Sequence, residues 1–72
     1  MENVKMLNTI RVERAKMNIT QAELAEQLHV SRQTIHSIET GKFVPSTVLA
    51  LKIARFFNVD FNEVFQLAED YS

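Results

Sequence analysis

Cysteine and tryptophan are absent from this 72-residue sequence, and glycine and proline occur once each. Without cysteine there is no disulfide framework and no thiolate metal site. With 46% hydrophobic residues and so few chain breakers, the composition fits a compact helical domain and not a disordered segment. Long apolar runs are missing too. The longest span a few residues, far short of the ~20 needed to cross a bilayer. The charged Met1–Met6 segment lacks the apolar centre of a signal peptide. These absences predict a cytoplasmic protein. The length predicts one small domain, residues 1–72, with its core at about 8–66. Such a chain buries only roughly 60% of its unfolded surface, so its stability is modest and association between subunits would add to it.

A large excess of charge of one sign is also lacking. The net charge is −1, with six Lys/Arg against five Asp/Glu in residues 1–42 and two against four in residues 43–72. The overall charge argues weakly against nucleic-acid binding, and its distribution softens that objection. Any such binding rests on a local patch and is sensitive to salt.

What is present is punctuation for five short helices. The first is predicted from about Val4 to Met17, with Met6, Leu7, Ile10, Val12 and Ala15 on its apolar side and Asn18 as its stop. Thr20-Gln21-Ala22-Glu23 fits a capping box at the start of the second, whose Leu24, Ala25 and Leu28 face inward. Ser31 caps the third, which runs to about Thr40 and is closed by Gly41 as a left-handed residue. Pro45 forces Val44 out of helical conformation. Ser46 caps the fourth, which reaches about Asn58. Asp60 caps the fifth, where Phe61, Val64, Phe65 and Ala68 share a face.

The informative stretch is Gln21 to Thr40. About three residues separate the second helix from the third, which forces the two to cross steeply in a helix-turn-helix. Ala25 supplies a small residue where they touch, and Val30 an apolar plug after the turn. Ile35 and Ile38 anchor the third helix to the core. At about 100° per residue, Arg32, Gln33, His36 and Ser37 fall on the arc opposite those isoleucines. A polar arc on a short helix is commonly just a solvated face. Next to so tight a turn it also suits the DNA major groove, where Arg pairs with guanine O6 and N7 and Gln with adenine N6 and N7.

Three runs, Thr20-Gln21-Ala22-Glu23-Leu24-Ala25, Val30-Ser31-Arg32-Gln33-Thr34-Ile35 and Ile38-Glu39-Thr40-Gly41-Lys42, are followed by Pro45-Ser46 and Leu49-Ala50-Leu51-Lys52-Ile53-Ala54. In these the sequence resembles the lambda-repressor-like, Cro-type (xenobiotic response element) helix-turn-helix family, over roughly residues 8–66. The resemblance implies an all-α, five-helix DNA-binding domain with the helix-turn-helix at its second and third helices. It implies that Arg32, Gln33 and Ser37 contact bases; the helical wheel adds His36. It assigns Thr20, Gln21, Ser31, Thr40 and Lys42 to the DNA backbone. It also implies a buried ion pair between Arg14 and Glu39, where the two residues alone would have suggested acid–base chemistry. One position departs from the family. His29 stands where glycine is usual, because the turn takes a positive φ, which histidine adopts at some cost.

Other constellations carry less. His29 and His36 lie on different elements with no further ligand nearby, so no metal is expected, and no cofactor. The phenylalanines Phe56, Phe57, Phe61 and Phe65, with Val64, read as core. The fourth helix, however, is apolar nearly all round, through Val48, Leu49, Leu51, Ile53, Ala54, Phe56 and Phe57. Such an excess suggests a partner. The resemblance points to a homodimer joined at this end of the domain, with Phe57, Phe61, Val64 and Phe65 at the interface. A symmetric dimer would set two recognition helices about 34 Å apart on a pseudo-palindromic operator in double-stranded DNA. The expected function is transcriptional regulation, by repression because a chain this short leaves no room for a sensing domain. An antitoxin or other protein-interaction module of the same fold, with a toxin as partner, is the alternative. An enzyme is not expected, since no nucleophile–base pair or phosphate-cradling glycine loop is present.

Overall fold

The computed structural model describes residues 3–70, and the side-chain surroundings of residues 6–68; Met1, Glu2, Tyr71 and Ser72 lie outside the described residues. The order is β1 (Asn3–Asn8), α1 (Ile10–Met17), α2 (Gln21–Leu28), α3 (Arg32–Glu39), α4 (Thr47–Phe57), α5 (Phe61–Val64) and β2 (Phe65–Asp70). Five helices form a small lambda-repressor-like body. The two strands pair antiparallel, from Asn3 opposite Asp70 to Asn8 opposite Phe65.

The helix termini follow local chemistry. Thr20 and Glu23 form a full capping box, with Glu23 N–H donating to Thr20 Oγ1 at 3.0 Å and Thr20 N–H to Glu23 Oε1 at 2.8 Å. Ser31 and Ser46 accept from the N–H groups of Thr34 and Leu49. Asn18, His29 and Asn58 end α1, α2 and α4 in the left-handed region, at φ 57°, 59° and 57°. Gly41, at φ 79°, closes α3. A Cβ there would meet nothing within 4 Å, so its backbone conformation and not a lack of space calls for glycine.

Two elements differ from the sequence expectation. The first helix was expected from Val4, but residues 3–8 are a strand and α1 starts at Ile10. Asn8 makes the break: its Oδ1 accepts from Ile10 N–H at 3.2 Å while its Nδ2 donates to the Ile38 carbonyl at 2.9 Å. Met6 and Leu7 therefore belong to the strand, and of the expected apolar side of α1 only Ile10 is buried. The fifth helix was expected to run on through Ala68, but α5 stops at Val64. The carbonyls that would carry it onward are taken. Those of Glu63 and Val64 accept from the Thr9 hydroxyl (3.1 Å) and the Thr9 N–H (2.9 Å), and that of Asn62 from the Gln66 side chain (3.3 Å). Every C-terminal carbonyl of α5 thus has a partner without another helical turn. Asp60 occupies the N-cap position of α5, but its side chain makes no capping bond.

The core is one cluster. Ile10, Leu24, Ala25, Leu28, Ile35, Ile38, Ala50, Ile53, Ala54, Phe57, Val64 and Phe65 are buried, with Val30, Leu49, Phe56 and Phe61 packed against it. α2 packs against both α3 and α4 around this core. No helix among the described residues is long and apolar enough to cross a membrane.

Candidate nucleic-acid interface

The turn between α2 and α3 is fixed from both sides. The His29 and Val30 N–H groups return to the carbonyls of Glu26 (3.2 Å) and Ala25 (3.0 Å), so α2 ends in a double-bonded left-handed cap. Val30 packs against the core and Ser31 starts α3 at once. With Ile35 and Ile38 buried, the rotation of α3 is set. Arg32 and Gln33 are exposed and His36 and Ser37 half-buried on its outer face.

Beneath that face lies a connected polar network. Arg14 grips Glu39 with two hydrogen bonds, Nε to Oε2 at 2.6 Å and Nη2 to Oε1 at 3.1 Å, and spends a third on the Ile19 carbonyl at 3.0 Å. The Glu39 side chain is 1% exposed and that of Arg14 15%. Burial alone raises the pKa of the Glu39 carboxyl. Hydrogen bonds from Arg14 and Gln21, with the charges of Arg14 and Arg11, outweigh it and leave the pKa below the ordinary carboxylate value. The pair ties α1 to the end of α3.

Gln21 extends this network to the surface. Its Nε2 donates to Glu39 Oε1 at 3.0 Å and lies 3.4 Å from His36 Nδ1, while its Oε1 accepts from Arg32 Nη1 at 3.4 Å. A carboxylate only accepts, so it fixes which end of the Gln21 amide faces inward. An amide nitrogen only donates, so Nδ1 is the accepting side of its contact with His36. Gln33 donates to Ser37 Oγ at 3.4 Å along the helix.

The remaining expected residues occupy the rim. Thr20 and Ser31 stand exposed at the N-termini of α2 and α3, where free N–H groups favour anions. The Thr40 hydroxyl donates to the carbonyls of His36 (3.0 Å) and Ser37 (3.3 Å). Lys42 is exposed just beyond α3, and its N–H is held by the Ser37 carbonyl at 2.9 Å. The expected subunit-contact residues are placed differently. Phe57, Val64 and Phe65 are buried within the protomer, at 8%, 0% and 2% exposure, and have almost no surface to offer a second copy. Phe61 alone of the four is partly open. Reading the sequence missed the link from Gln21 to Arg32 and His36. Its signal was Gln21 at the first position of α2 facing Arg32 at the first position of α3.

Comparison with known proteins agrees with this geometry. A family model described as helix-turn-helix matches residues 10–64. The chain is 49% identical over 65 residues to an uncharacterized HTH-type transcriptional regulator of Methanocaldococcus jannaschii, covering 90% of this chain and 98% of that one. It is 42% identical, with the same coverages, to the uncharacterized HTH-type transcriptional regulator YgzD of Bacillus subtilis. A crystal structure of a candidate DNA-binding protein from Bacteroides fragilis superposes with a TM-score of 0.75 at 36% identity, covering 85% of this chain and 98% of that one. Helix order, short turn, outward polar arc and these likenesses agree: the chain belongs to the XRE-type helix-turn-helix family.

Proposed function

We propose that the protein is a sequence-specific DNA-binding transcriptional regulator that lays α3 in the major groove. The observation that carries this reading is the outer arc of Arg32, Gln33, His36 and Ser37, set on a helix whose rotation is locked by buried isoleucines. Arg32 is suited to a guanine edge and Gln33 to an adenine edge. His36, half-buried on the same arc, is suited to an acceptor such as guanine O6 or thymine O4. Thr20, Gln21, Ser31, Thr40 and Lys42 are the backbone contacts in this reading. Phosphate contacts position the helix and the base edges specify the site. Family membership places the protein among regulators and outside the enzymes.

With Lys42 the one cation among these five backbone contacts, one protomer gains little from releasing counterions. A homodimer on a pseudo-palindromic operator doubles both the phosphate and the base contacts. Repression follows as the mode of action in this proposal, because a bound dimer occupies a promoter without needing a further domain, and the site of action is the cytoplasm. Selection of bound duplexes from a random pool, at two salt concentrations, tests the reading. It predicts enrichment of a two-fold symmetric sequence. Failure to enrich any sequence at low salt would overturn it.

A further inference from the structure

Gln21 is expected on the DNA backbone, yet its side chain is turned the wrong way to hold a phosphate. A side-chain amide has a donating end and an accepting end. The donating end faces inward: Nε2 gives a hydrogen bond to Glu39 Oε1 at 3.0 Å and lies 3.4 Å from His36 Nδ1. The accepting end faces outward, where Oε1 takes a hydrogen bond from Arg32 Nη1 at 3.4 Å. Phosphate oxygens only accept, so at this outer end they meet a carbonyl oxygen and no donor.

Turning the amide over is unfavourable at both ends. Inside, it would set the amide oxygen against a carboxylate whose side chain is 1% exposed and paired with Arg14. A buried acceptor facing an acceptor loses one bond and gains none. Outside, it would set the amide nitrogen against the Arg32 guanidinium, a group with five N–H donors and no acceptor. The half-buried Gln21 is therefore held in one orientation by two charged neighbours, one at each end of α3. Its place makes this possible: it is the first residue of α2, and Arg32 is the first residue of α3.

We propose that Gln21 is a positioning residue for base reading, its side chain acting through Arg32 while any phosphate contact at this residue falls to its main-chain N–H. This rests on the reading of α3 given above. Arg32 is exposed, and its long side chain has many rotamers to lose on binding. An acceptor already in place at Gln21 restrains the guanidinium before DNA arrives and lowers that ordering cost. The contact uses one of the five N–H groups and leaves the others for a two-bond contact with a guanine edge. Through Gln21, the placing of Arg32 is tied to Glu39 and so to the ion pair between α1 and α3.

Binding of the full chain to the selected duplex and its single-base variants tests the role, for Gln21→Met, Arg32→Ala and the double variant, with thermal melts as a folding control. Arg32→Ala is expected to lose about fivefold or more in preference at one symmetric base position. Gln21→Met is expected to lose about two- to tenfold at that same position, and the double variant no more than Arg32→Ala alone. In the free wild type, the Gln21 side-chain NH2 protons should exchange with solvent more slowly than those of the exposed Gln33. A Gln21→Met variant that weakens every duplex alike, additively with Arg32→Ala, would overturn the role and make the side chain a phosphate donor. Equal exchange at Gln21 and Gln33 would overturn the inward orientation on which the role depends. If Arg32→Ala leaves base preference unchanged, the reading of α3 falls and takes the role with it. If only Gln21→Met leaves it unchanged, the role falls and the reading of α3 stands.

Discussion

Replacing Glu39 by alanine removes the acceptor of two Arg14 hydrogen bonds and one from Gln21. Among the described residues Arg14 is left with the Ile19 carbonyl, on a side chain only 15% exposed. An uncompensated buried charge of this kind costs about 3–5 kcal/mol. A domain of 72 residues has about 4–11 kcal/mol in total, at roughly 0.05–0.15 per residue. The substitution therefore removes about a quarter of the stability or more. At about 4–8 °C per kcal/mol for a domain of this size, the Tm falls by roughly 12 °C at the least. Melts followed by circular dichroism at pH 7 in low and high salt are the assay. The loss should change little with salt, because a buried pair is poorly screened. Lys16→Ala, which removes the half-exposed contact to Glu13 at 3.4 Å, should cost under about 1 kcal/mol. The double variant Arg14→Met/Glu39→Leu should recover most of the loss, because it removes the stranded charge as well as the pair. If Glu39→Ala loses less than about 1 kcal/mol, the pair behaves as a surface bridge and the reasoning fails.

Two further predictions follow from the same geometry. The folded pKa of Glu39 lies below its ordinary 4.5, so the unfolded chain takes up the proton at higher pH than the folded one. The stabilisation is complete above about pH 5 and is lost as pH falls through the folded pKa. Urea midpoints measured from pH 6 to pH 3 should fall more steeply for the wild type than for Glu39→Gln, and equal slopes would contradict the assignment. His29→Gly should raise stability by about 0.5–1 kcal/mol, because φ of 59° is strained for histidine and the ring is exposed. A loss would mean that the ring makes a useful contact with its neighbours Lys52 and Arg55.

The helix-turn-helix was legible because its signals are local. The Thr20–Glu23 box, Ser31, Gly41 and the spacing of Leu24, Ala25, Leu28, Ile35 and Ile38 each specify geometry within a turn or two of chain. Position 29 was legible through the family resemblance, which sets glycine, and with it a positive φ, at this turn. The ribbon was not legible, because its partners come from opposite ends of the chain. No turn sequence marks the pairing of Asn8 with Phe65. Phe61, Val64, Phe65 and Ala68 fit a helical period, and what ends α5 is Thr9, a residue more than fifty positions away. The core reading of Phe57, Val64 and Phe65 agrees with their burial, but the same distance hid the strand β1 that packs beside them. At the interface, the outer arc of α3 followed from periodicity, whereas the orientation of Gln21 depends on a carboxylate eighteen positions away.

The central claim is that α3 reads bases while its rim holds phosphates. Binding of Arg32→Ala and Lys42→Ala to the selected duplex and its single-base variants, over a range of salt, tests it most directly. Arg32→Ala should lose about 1–3 kcal/mol of discrimination at one symmetric base position. Lys42→Ala should weaken all duplexes alike and reduce the salt slope by about one per protomer. If Arg32→Ala weakens every duplex equally and leaves base preference unchanged, the outer arc of α3 does not read sequence, and the account of this site is wrong.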